Sequence, residues 1–156
     1  METILELKMS IARQVAMSYL GTWYKWGGDD PSGFDCSGFI NAILKSIGLL
    51  DRGTDYTACG LADLFFDNKI NILREGHLVF FGKAFSPGTH GIRMLRETGL
   101  KITHVEYMLD HFHSIGASGG GSNILTPEDA IKYNAFIKIR PVESCIFAVD
   151  PFLNIE

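Results

Sequence analysis

Residues 24–39 read Tyr24-Lys25-Trp26-Gly27-Gly28-Asp29-Asp30-Pro31-Ser32-Gly33-Phe34-Asp35-Cys36-Ser37-Gly38-Phe39, a loop rich in glycine and aromatic residues that runs into apolar periodicity. The segment from Thr22 to Phe34 is expected to be irregular, its glycines permitting backbone approaches denied to other residues. Helical spacing then appears at Phe39, Ile40, Ile43, Leu44 and Ile47, with Gly48 placed to end the helix. A helix is therefore predicted to begin near Cys36. The unpaired N–H groups and partial positive charge of a helix start stabilise a thiolate. The same N–H groups can hold the oxyanion formed when sulfur attacks a carbonyl, where one donor is worth ~10² to 10³ in rate. Cys36 is read as a nucleophile.

On the N-terminal side, Leu7, Ile11, Val15 and Tyr19 recur every four residues with Ala12 and Ala16 beside them, predicting a core-facing helix over 1–20 that Gly21 ends. On the C-terminal side, a short helix is expected over 59–66, with Cys59 as a small buried residue. Leu78-Val79-Phe80-Phe81 has the residue types of a strand, and 104–109 and 112–118 read as a hairpin turning near Asp110-His111. Between them, 82–103 is a long connection broken by Pro87-Gly88 and Gly91, with a helical turn expected over 92–97. Thr126-Pro127-Glu128-Asp129 carries the cap, first-turn proline and acids of a helix start. Segments 135–139 and 145–149 read as further strands, Cys145 lying in the core.

The chain of 156 residues suits one domain, long enough to bury roughly two thirds of its unfolded surface. A hydrophobic share of 46% without polar or repetitive tracts points to a packed globule. The net charge of -4 offers no basic field, which argues against nucleic acid as a partner. Three widely spaced cysteines without a CxxC argue against a disulfide framework or a structural zinc site. No continuous apolar run resembles a secretory signal or approaches the ~20 residues of a membrane span, so no membrane insertion is expected.

The pattern YxWGG followed by GFDCSGF resembles the signature of the NlpC-type family of papain-like cysteine peptidases, which cut peptidoglycan stem peptides. The resemblance extends to Gly76–Phe81, His104-Val105 and Ser114–Gly120, covering most of residues 20–120. It implies an α+β domain over 1–156, with N-terminal helices packed on a mainly antiparallel sheet. It also implies amide hydrolysis through a thioester acyl-enzyme, without a cofactor, at the bond that follows γ-D-glutamate in a stem peptide. Carried over by position, Cys36 is the nucleophile and His104 the base that activates it and protonates the leaving amine. Tyr24, Asp35 and Ser37 match positions that shape the groove and bind the substrate's peptide end; each also reads as a turn or capping residue.

The chain departs from the pattern at the residue that orients the base. In the family this is a polar residue, usually histidine, on the next strand, and Gly116 stands in that place. The role falls to His113 if the hairpin register differs, to a backbone carbonyl or distant side chain, or to none, leaving a dyad. His111 and His113 also read as exposed hairpin residues, and His77 as a surface residue. Two other classes fit the same residues: an acyltransferase or lipid-type hydrolase, expected to show a wide apolar groove, and a catalytically silent cell-wall binding module. An enzyme of this kind without a visible signal suits a phage tail-associated lysin, an effector delivered by a secretion system, or a cytoplasmic recycling peptidase.

Overall fold

A computed structural model describes residues 1–155. Helix α1 (Ile4–Ser18) starts with a capping box, in which the Thr3 side chain accepts from the Glu6 N–H while Glu6 accepts from the Thr3 N–H. Its buried face is made of Ala12 and Ala16, small enough to bring α1 close to helix α2 (Cys36–Ser46). Gly21 follows the helix with a φ of 88°. The next loop contains one small antiparallel pair, β1 (Asp29–Asp30) and β2 (Gly33–Phe34), and is stitched to the sheet by the Tyr24 N–H donating to the Ala135 carbonyl at 2.9 Å.

After helix α3 (Ala58–Leu64), capped by Thr57, come β3 (Leu78–Ala84), β4 (Met94–Leu95), β5 (Leu100–Met108) and β6 (His113–Ser118). Helix α4 (Pro127–Tyr133), β7 (Phe136–Pro141) and β8 (Phe147–Val149) complete the chain. The strands form an antiparallel sheet in the order β7-β6-β5-β3-β8, with β4 pairing β5. This is the α+β architecture that the sequence implies. The main core joins Phe39, Ile40, Ile43 and Leu44 of α2 to Val105, Tyr107, Ile115 and Ile137 of the sheet. A smaller cluster gathers Val79, Met108 and Ala148. Among the described residues, no helix is long and apolar enough to cross a membrane.

Several expectations are corrected. The segment 92–97 is not a helical turn: Arg93 and Arg96 have φ of 67° and 43°, outside the right-handed helical region, and β4 occupies its middle. Strands β3 and β5 also run further into 82–103 than expected. Phe81 pairs with His104 but Gly82 pairs with Ile102, leaving Thr103 as a bulge; a Cβ at residue 82 would lie 1.8 Å from the Lys101 carbonyl oxygen. The missing side chain lets the ladder continue to Ala84 and Leu100. Cys145, expected in a strand, precedes β8 and packs half-buried against the smaller cluster.

Candidate active site

Helix α2 begins where the sequence reading places it, and its first residue is Cys36. Asp35 is the N-cap, its carboxylate accepting from the Gly38 N–H at 2.7 Å while its own N–H donates to the Gly28 carbonyl at 2.9 Å. A Cβ at residue 38 would stand 2.1 Å from the Gly28 oxygen, so glycine there lets the loop lie directly on the helix start. Burial raises the Asp35 carboxyl above its ordinary range, partly offset by its bonds to Gly38 and Ser37. Tyr24 is buried beside Cys36, its ring against Gly120, where a Cβ would lie 2.2 Å from Cδ1. Burial, then the nearby Cys36 and Asp35, push its phenol up, so it remains a neutral donor at physiological pH.

These residues line a cleft of about 1010 Å³ together with Ser37, Arg93, His104, Arg140 and the turn Gly119–Gly121. Opposite Cys36, the His104 Nε2 lies 2.5 Å from Glu106 Oε2, which leaves Nδ1 as the ring nitrogen available to the sulfur. His104 and Glu106 are two residues apart on β5, and the period of two in a strand puts both side chains on one face. Glu106 is 0% exposed and fully partnered. It accepts from Ser114 Oγ at 2.7 Å and from Arg140 Nε at 3.0 Å, with Arg140 Nη2 at 2.5 Å from its second oxygen. The Arg140 guanidinium lies over the Phe81 ring, which packs against the His104 imidazole.

The electrostatics follow from this line of charges. Burial alone would depress His104, but hydrogen bonding and charge from Cys36 and Glu106 outweigh it and push the imidazole up to about 9. Burial alone would raise Glu106, whereas His104, Arg140 and Ser114 hold it down at about 2. At neutral pH the imidazolium form is favoured, between the sulfur and a carboxylate.

Residues 21–117 match the NlpC/P60 family. This chain belongs to that family. Among relatives, it is 38% identical over 71 residues to Protein P54 of Enterococcus faecium, covering 44% of this chain and 13% of that protein. It is 35% identical over 66 residues to the probable endopeptidase p60 of Listeria grayi, covering 42% and 12%. The match therefore spans only about an eighth of the length of these curated relatives. The NlpC/p60 domain of the peptidoglycan hydrolase SagA superposes with a TM-score of 0.59 at 27% identity, over 90% of this chain and 97% of that one.

Against the NlpC/P60 pattern, the structure brings Cys36, His104, Tyr24, Asp35 and Ser37 into one cleft. It does not bring His113 there, which corrects that candidate. His113 opens β6 at the hairpin end, where its Nδ1 lies 3.1 Å from Asp110 Oδ2 with the side chain half exposed. The hairpin register that would have aimed it at His104 is not adopted, since β5 and β6 pair Tyr107 with Ile115 and Met108 with Ser114. The sequence reading missed Glu106, Ser114 and Arg140. One signal was available: a lone acid in the apolar run His104-Val105-Glu106-Tyr107-Met108, at the spacing that shares a face with the histidine.

Proposed function

We propose that residues 1–156 form a cysteine peptidase domain that hydrolyses amide bonds in peptidoglycan stem peptides, at the bond following γ-D-glutamate, through a thioester acyl-enzyme. The observation that carries this reading is the line Cys36, His104, Glu106, the first two lining one cleft and Glu106 buried behind the imidazole, on a chain of the NlpC/P60 family. Named relatives include an endopeptidase and a peptidoglycan hydrolase, which supports the substrate class.

In the proposed reaction the Cys36 sulfur attacks the scissile carbonyl and the Cys36 N–H, unpaired at the first position of α2, donates to the oxyanion. His104 protonates the leaving amine, then takes a proton from water, which cleaves the thioester and restores the sulfur. Glu106 is the positioning residue: it fixes the imidazole so that Nδ1 faces sulfur, and its negative charge favours the imidazolium. Arg140 and Ser114 hold Glu106 in turn. Tyr24 and Ser37 present hydroxyls to the substrate, while the Asp35 carboxylate is occupied by the cap.

The rival classes are less well supported. The cleft wall is mixed, with hydroxyls, charged groups and glycine backbone beside Trp26, Ile92 and Ile102, whereas a lipid hydrolase calls for a wide apolar groove. The sign of a silent binding module was an unoriented histidine, and His104 has Glu106. Digestion of purified muropeptides, followed by mass, is the test for wild type, Cys36→Ala and Glu106→Gln. The expected result is new termini after D-glutamate with wild type, none with Cys36→Ala, and a rate lowered at least ~10²-fold with Glu106→Gln. Intact stem peptides with wild type, or equal cleavage by Cys36→Ala, would reject the assignment.

A further inference from the structure

Two arginines line the cleft, and they are not equivalent. Arg140 is committed to Glu106 through both ends of its guanidinium. Arg93 has no carboxylate and no hydrogen-bond acceptor on its side chain among the described residues. It shares the cleft with Tyr24, close enough for its positive charge to offset a small part of the upward push on that phenol.

The position of Arg93 is built. It sits on the arm formed by β4 and the extended end of β5, which is continuous with the bulge beside His104. Leu95 anchors the arm in the core, 0% exposed. On the far side, Arg96 pairs with Asp63 at 2.6 Å and covers the Phe66 ring at 4.3 Å, tying the arm to the end of α3. Just before these anchors the Arg93 backbone is held at a φ of 67°, its carbonyl accepting from the Ile102 N–H at 2.8 Å. A non-glycine residue held there costs energy and persists only where its surroundings fix it, and here the outcome is a cation in the lining of the cleft that also holds Tyr24.

We infer that Arg93 is a specificity-determining residue that binds a free carboxylate of the substrate next to the scissile bond. This rests on the stem-peptide reading above, and it names one group. A glutamate linked through its γ-carbonyl keeps its α-carboxylate free a few bonds from the carbonyl that Cys36 attacks. A planar guanidinium takes such a carboxylate in a bidentate fork. The Asp35 carboxylate in the same lining disfavours an anion, so an unpaired cation is what the cleft needs to accept one.

The test uses two synthetic stem peptides, L-Ala-γ-D-Glu-L-Lys and its α-amide, so that only this carboxylate differs. Their binding to Cys36→Ala protein is measured calorimetrically with Arg93, Arg93→Gln or Arg93→Lys, and KM and kcat are measured for the same Arg93 variants with Cys36 present. The expected result is a preference for the free acid of at least ~10-fold, carried by KM, that vanishes with Arg93→Gln and is partly kept with Arg93→Lys. An acid-to-amide ratio that survives Arg93→Gln, or a wild type that treats the two peptides alike, would overturn the role of Arg93 while leaving the peptidase reading intact. Neither binding nor cleavage of either peptide by any variant would overturn both.

Discussion

Glu106 fills the space that a side chain at Gly116 would need: a Cβ built on residue 116 would lie 2.4 Å from Glu106 Cγ and 2.8 Å from Cδ. The glycine that looked like a missing catalytic part is the room in which the carboxylate sits. A contact that close must be relieved by moving one of the two groups, and Glu106 is held by three neighbours. Gly116→Ala is therefore expected to cost about 1–3 kcal/mol of stability by overpacking and to lower peptidase activity well beyond that of a remote glycine substitution. Urea denaturation and muropeptide turnover on the same preparation check both; unchanged turnover would show that Glu106 tolerates displacement.

This pair also marks what the sequence could and could not disclose. The helix at Cys36 was legible because capping, glycine approach and apolar spacing are local: Asp35, Gly38 and Phe39 all lie within four residues of the sulfur. His104 was legible through its motif. The partner of His104 was not, because the family pattern puts it across the sheet on β6, whereas the chain supplies it along β5. That exchange depends on register, on an arginine from β7 and on space left at residue 116, none of which is local in sequence. The arm over 82–103 was hidden for a related reason. Its shape follows from one bulge beside Gly82 and two left-handed arginines, which apolar periodicity does not report.

The coupled charges predict a defined pH dependence of stability. His104 is raised from its ordinary 6.5 to about 9, so its contribution is fully present below pH 6.5 and is lost as pH rises through 9. Glu106 is lowered from 4.5 to about 2, so its contribution is fully present above pH 4.5 and is lost as pH falls through 2. The stabilisation from the pair is therefore complete between pH 4.5 and 6.5 and declines on both sides. Denaturation midpoints at pH 5.5, 7.5 and 9.5 should fall along the series for wild type. In Glu106→Gln the fall from 5.5 to 9.5 should be shallower, because the imidazole loses the neighbouring charge that raises it. Equal slopes would place the source elsewhere.

Asp35 serves the helix first, and its two functions can be separated. Its side chain accepts from the Gly38 N–H, a bond that asparagine can also make through its amide oxygen. Asp35→Ala should cost about 0.5–2 kcal/mol and loosen the helix start that presents Cys36, whereas Asp35→Asn should retain most of that stability. Thermal melts paired with the rate of Cys36 alkylation measure both effects. Should Asp35→Asn melt like Asp35→Ala, the charge rather than the cap would be what the helix requires.

His113 provides the sharpest contrast with Glu106, because both stood within reach of the hairpin and only one reaches the base. The His113 backbone N–H and ring both engage Asp110, the N–H at 2.7 Å, which makes the residue part of the turn at the far end of β6. Its side chain is half exposed and lines no wall of the cleft. His113→Ala is therefore expected to keep kcat/KM within about twofold of wild type, in line with a surface substitution, while Glu106→Gln lowers it by at least ~10². The two variants should also differ in the basic limb of the rate profile. That limb reports the imidazolium of His104, near pH 9 in wild type, so it should move to lower pH in Glu106→Gln and stay in place in His113→Ala. A limb that shifts with His113→Ala and not with Glu106→Gln would return the orienting role to the hairpin and refute the assignment to Glu106.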